Sequence, residues 1–129
     1  MVPILDVLGA SRIIVVADDD GDIRELLANR LESAGYSVVQ AEDGVGALAL
    51  IRNALPQLVL LDVSMPLLSG LDVLQAMKAD EELAGIPVIL LTGKSDENEV
   101  VVGRAMGAVN YVVKPFSPKE VVLLIEQLV

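Results

Sequence analysis

Apolar and polar positions alternate along this chain in two periods. Short, mostly apolar runs are each followed by a turn and then by a segment with helical spacing. Arg12 to Ala17, Tyr36 to Ala41, Leu58 to Leu61, Ile86 to Leu91 and Val109 to Val113 are the runs. Their length and their Val, Ile and Leu content suit strands buried on both faces. Between them the pattern predicts helices. The first starts at Asp22, with Ile23, Leu26, Leu27, Leu31 and Ala34 on one buried stripe and Gly35 just past its end. The second is capped by Asp43, runs to about Asn53 and is broken by Leu55-Pro56. The third runs from Leu71 to Ala79. The fourth opens on a capping box of Asp96 and Glu99 and ends at Gly107. The fifth opens with Ser117 as cap, Pro118 at its first position and Glu120 at its third. Five strand-then-helix units in a row predict an α/β fold with one doubly wound parallel sheet.

Composition narrows the chemistry. A length of 129 residues is enough for one buried core, built here almost without aromatic residues. Residues 1–11 are apolar but lack the basic start of a signal peptide, and read as a leader or a short docked segment. No apolar run reaches the length of a membrane span. The chain has no Cys, which excludes disulfides and thiolate metal sites, and no His. The net charge of -10 argues against direct contact with nucleic acid and suits a cytoplasmic protein.

Four of the five strands end in polar groups. Asp18, Asp19 and Asp20 follow the first, Asp62 the third, Thr92 the fourth and Lys114 the fifth. Ligands of open α/β sheets bind beyond the carboxyl ends of the strands. Carboxylates crowded there repel one another unless protons or a cation intervene. With only oxygen donors on offer, Mg2+ is the fitting cation. A free carboxylate beside it can act as a nucleophile toward phosphorus, with Lys114 and the Thr92 hydroxyl to hold phosphoryl oxygens.

The chain resembles the receiver domains of two-component response regulators. The resemblance is carried by the Asp18-Asp19 pair, the Asp62-Val63-Ser64-Met65-Pro66 loop, Thr92, and the run Tyr111-x-x-Lys114-Pro115-Phe116. It spans Arg12 to Leu128, and residues 12–129 form the implied domain. It implies a flavodoxin-like sheet of order 2-1-3-4-5 with five helices. It implies Asp62 as phosphoryl acceptor, Mg2+ held by Asp18, Asp19, Asp62 and the Ser64 carbonyl, and Thr92 and Lys114 on the phosphoryl group. Thr92 and Tyr111 would be the switch residues, and the Lys114-Pro115 bond would be cis. The implied donor is a sensor histidine kinase or a histidine phosphotransfer protein. The chain would thus be a switch acting only on its own phosphorylation and dephosphorylation, not an enzyme for an external metabolite. Ser64 and Lys94, two beyond acceptor and threonine, would tune the phosphoryl lifetime.

Two further readings follow from the residues. Asp18-x-Asp20-Gly21 also resembles the first motif of haloacid-dehalogenase-type phosphatases, with Asp18 as nucleophile. That reading leaves Asp62 unexplained and lacks an acidic pair after Lys114. In receiver domains, helix 4, strand 5 and helix 5 form the face read by an output domain or a second copy. Here Val121, Leu124, Ile125 and Leu128 form the core stripe of helix 5, which leaves Leu123, with Val122 beside it, facing outward. Val102 and Met106 join them from helix 4, on the side opposite Val101, as an apolar docking patch in place of ion pairs.

Overall fold

Alternate residues of the three central strands feed two separate cores. In this computed structural model, which describes residues 12–93 and 95–129, those strands are β1 (Ile13–Ala17), β3 (Leu58–Asp62) and β4 (Val88–Thr92). With β2 (Ser37–Ala41) and β5 (Asn110–Val113) they form one parallel sheet of order β2-β1-β3-β4-β5, as expected. The helices are α1 (Gly21–Ser33), α2 (Gly44–Ala54), α3 (Gly70–Lys78), α4 (Glu97–Ala105) and α5 (Pro118–Leu128). Val15, Val59, Leu61, Val88 and Leu90 point to one face and meet Ala47, Leu48 and Ile51 of α2 and Val73, Leu74 and Met77 of α3. Ile14, Val16, Leu58, Leu60, Ile89 and Leu91 point to the other and meet Leu27 and Leu31 of α1 and Val121, Val122 and Ile125 of α5. The period of two along each strand produces this division. It leaves β3 and β4 buried at every residue.

Local signals set most boundaries. The Asp20 carboxylate accepts from the Asp22 and Ile23 N–H groups and starts α1. Asp43 accepts from Gly46 N–H at 2.7 Å and starts α2. Leu55 ends α2 in the left-handed region at φ 46°, just before Pro56. Gly35, at φ 100°, closes the turn after α1 with a conformation that suits glycine. The Lys114-Pro115 bond is cis.

Other expectations are corrected. Leu26 is 55% exposed and Ala34 is also exposed, while Ala28 takes the buried place. The buried stripe of α1 is therefore narrower than the apolar spacing suggested. Asp96 and Glu99 form no capping box, because the Asp96 carboxylate turns back to accept from Gly93 N–H at 2.6 Å. Ser117 occupies the cap position of α5 without a side-chain hydrogen bond, with Pro118 in the first turn as expected. A reciprocal capping box stands instead at α3, where Ser69 and Asp72 each accept from the other's N–H. β4 starts at Val88, since Ile86 N–H is taken by a turn to Leu83 and Pro87 has no N–H. In α5, Val122 is buried and Leu128 exposed, the reverse of the expected stripe. In α4, Val101 and Val102 are both exposed, Met106 packs against the first core, and Gly103 is the buried residue. Of the residues expected in the apolar patch, Val102 and Leu123 are exposed, while Val122 is buried and Met106 is half-buried against the first core. Residues 1–11 and Lys94 lie outside the described residues, and with them the leader and the lysine beyond Thr92.

Candidate functional site

The strand ends converge where the sheet order places them. β1 delivers Asp18 one residue past its end, β3 and β4 finish on Asp62 and Thr92, and Lys114 follows β5. Asp18, Asp62 and Thr92 are buried, which is unusual for polar groups and demands partners. Asp18 Oδ1 accepts from Asp20 N–H at 2.9 Å. The Asp18 carbonyl accepts from the Arg24 guanidinium at 2.8 Å. Asp62 Oδ1 accepts from Ser64 N–H at 3.2 Å. The Lys114 ammonium bridges two strand ends, 2.8 Å from Asp18 Oδ2 and 3.4 Å from Asp62 Oδ2.

Electrostatics follow from this crowding. Burial pushes the Asp62 carboxyl up from its ordinary 3.8 to about 7. The Asp18 charge and the Asp19 hydrogen bond push the same way, while Lys114 and the Ser64 N–H pull down. Burial alone would lower the Lys114 ammonium. The Asp18 and Asp62 carboxylates outweigh it and hold the group above its ordinary 10.5.

Asp18, Asp19 and Asp62 each present one oxygen, and the three lie within 4.8 Å of one another. Three oxygens so grouped could close on an octahedral Mg2+, whose neighbouring ligands stand about 2.9 Å apart. The donors are all oxygen, as a hard cation requires. The Ser64 hydrogen bond comes from its N–H; its expected role as a carbonyl ligand concerns a different atom.

The remaining expected residues sit apart from the carboxylates in their contacts. The Thr92 hydroxyl donates to the Val112 carbonyl at 3.4 Å. Tyr111 lies on the exposed side of β5, with Arg104 against its ring. A cleft of about 620 Å³ opens beside the carboxylates, lined by Asp19, Ser64, Met65, Ser69 and Glu99 among others. Glu99, expected at the cap of α4, stands in this wall instead. On the other side, Lys114 borders a small apolar pocket with Ile23, Leu26, Phe116 and Pro118. This pocket accounts for the exposed Leu26.

The phosphatase arrangement is not supported. In that motif Asp20 would be the acid/base, but here it is engaged as the cap of α1, and Asp18 and Asp19 cluster with Asp62 instead.

Residues 14–126 match the family described as response regulator receiver domain. Curated relatives include the phosphate regulon transcriptional regulatory protein PhoB of Pseudomonas aeruginosa, 42% identical over 109 residues, covering 84% of this chain and 48% of the relative. The DNA-binding response regulator MtrA of Mycobacterium tuberculosis is 41% identical over 109 residues, covering 84% and 46%. The chain thus spans about half the length of these relatives. Among solved structures, the Vibrio cholerae chemotaxis protein CheY4 superposes with a TM-score of 0.85 at 29% identity, covering 93% of this chain and 100% of that one. The receiver domain of NtrX from Brucella abortus reaches 0.81 at 33% identity, covering 88% and 95%.

Proposed function

The chain belongs to the response regulator receiver domain family, and from that premise we propose that Asp62 is its phosphoryl acceptor, served by Asp18, Asp19, Lys114 and Thr92. The supporting observation is the placement of one carboxylate, Asp62, between two more carboxylates and an ammonium at a buried strand edge. An Asp62 oxygen attacks the phosphorus of a phosphohistidine on a kinase or phosphotransfer protein. The new P–O bond forms as the P–N bond breaks, and its electron pair stays on the imidazole. Asp62 must be ionised to attack, and the Lys114 ammonium and Ser64 N–H favour that form. Asp18, Asp19, Asp62 and the Ser64 carbonyl hold Mg2+, which when bound favours ionised carboxylate and offsets phosphoryl charge. Lys114 then pairs with a phosphoryl oxygen, and the Thr92 hydroxyl turns from Val112 toward another.

The donor approaches beside the apolar pocket at Leu26 and Pro118, which borders Lys114. Phosphorylation biases the face of α4, β5 and α5 through Thr92 and Tyr111, and an output domain or second copy reads that face through Val102 and Leu123. The chain catalyses only its own phosphorylation and dephosphorylation, in the cytoplasm. Among the described residues no helix is long and apolar enough to cross a membrane.

The test is incubation with Mg2+ and a small phosphodonor, followed by intact mass and peptide mapping. Label at Asp62, and none in Asp62→Ala, is the expected result. Label that persists in Asp62→Ala and maps to Asp18 overturns the assignment.

A further inference from the structure

Tyr111 stands on β5 with 38% of its surface exposed. The Arg104 guanidinium, from the last turn of α4, lies 5.8 Å from the centre of its ring. That is within the range of a cation–π contact. Beside the ring, a cleft of about 570 Å³ runs between α4 and β5. Thr92, Glu97, Val100 and Val101 line it together with Tyr111. The ring therefore has two places to be: outside, under the guanidinium, or turned into the cleft next to Thr92. On α4, Val101 and Val102 are exposed and the helix buries only Gly103.

We propose that Arg104 is a positioning residue for Tyr111. Its guanidinium holds the ring out of the cleft beside Thr92 and so lowers the population of the switched arrangement before phosphorylation. This rests on the reading of Thr92 and Tyr111 as switch residues. A cation–π contact at an exposed site is weak. It shifts a two-state balance about two- to fivefold, enough to set a basal level and too little to block the switch. Both partners are held by short reach: Arg104 lies in the last turn of α4 and Tyr111 lies in β5 after the turn at Gly107.

The chain has two tyrosines and no tryptophan, so in a Tyr36→Phe background Tyr111 is the sole fluorophore. Acrylamide quenching reports its exposure, with and without Mg2+ and beryllofluoride as phosphoryl mimic. In the Arg104-containing protein, quenching should fall when the mimic binds. Arg104→Ala should lower quenching before the mimic is added and tighten its apparent affinity about two- to fivefold. Arg104→Lys, which keeps a cation near the ring, should restore most of the native behaviour. In a Tyr111→Leu background, Arg104→Ala should no longer change mimic affinity. Native quenching and affinity in Arg104→Ala, with Tyr111 still responding to the mimic, overturns the latch alone. An effect of Arg104→Ala that survives Tyr111→Leu also overturns it. A Tyr111 that never responds to the mimic overturns the switch reading, and the latch with it.

Discussion

β3 and β4 bury every residue along their length, whereas β5 alternates half-buried and exposed residues and α4 buries only Gly103. The two regions touch, yet they carry different parts of the site. The buried pair ends on Thr92 and on Asp62, which must be held against repulsion from Asp18. The exposed pair carries Tyr111 and leads into Lys114. Elements with few buried contacts open at low cost, and elements packed on both faces do not. The fold thus sets a firmly held Asp62 against a loosely packed face, and each half can be tested against the other.

The largest effect is expected from ionising the fixed half. The folded Asp62 has a pKa of about 7 against an ordinary 3.8, so the folded form holds the proton more tightly than the unfolded chain. Its contribution to stability is fully present below pH 3.8 and is lost as pH rises through about 7. At 1.36 kcal/mol per unit the loss is about 4 kcal/mol at most. Urea unfolding with a chelator should show the native protein weakening over that window relative to Asp62→Asn. A constant difference between the two proteins from pH 4 to 7.5 would mean that burial at this strand edge is not costly.

Two glycines separate the halves by what they touch. A Cβ on Gly70 would run into the Asp62 carbonyl and crowd the Val63 backbone, neither of which can turn aside. A Cβ on Gly103 would meet the Leu90 Cδ1, the far end of a side chain rather than backbone. Gly70→Ala should cost about 3 kcal/mol and displace Asp62, while Gly103→Ala costs about 1 kcal/mol. Urea midpoints decide it, and equal costs would mean that the α4 contact is as rigid as the acceptor loop.

Asp19 is the exposed member of the carboxylate cluster. Asp19→Ala should weaken Mg2+ binding at least about tenfold by titration calorimetry, with little change in fold stability. Unchanged affinity would remove Asp19 from the ligand set.

The same contrast decides what the sequence could reveal. Strands buried on both faces write themselves as unbroken apolar runs, so a charge at the end of a run is conspicuous. Asp18, Asp62, Thr92 and Lys114 were legible for that reason, and the order of the strands came from resemblance. Helices in this fold touch the sheet over stripes of different width, and spacing does not encode width. Leu26 was read as core and is exposed beside a pocket; Val122 was read as surface and is buried. Ser69-x-x-Asp72 and Asp96-x-x-Glu99 both suit a capping box, but only the first forms, because Asp96 uses its carboxylate on Gly93. Lys114 was expected to serve the phosphoryl group; its pairing with Asp18 depends on the distance between two strand ends, which no local pattern carries.

The smallest effect is expected at Leu123, and its neighbour shows why. Val122 is 8% exposed and belongs to the core cluster with Val121 and Ile125, whereas Leu123 is 52% exposed. Removing methyl groups from Val122 leaves a void between α5 and the sheet, and Val122→Ala should cost about 1–3 kcal/mol. Leu123→Ala removes side chain that water already reaches, and should change stability by less than about 0.5 kcal/mol. A leucine that contributes nothing to its own fold is free to serve a contact with another surface. Urea midpoints of the two variants provide the comparison. If Leu123→Ala destabilises as much as Val122→Ala, then Leu123 is part of the core, and the docking face must be sought on Val101 and Val102 of α4 alone.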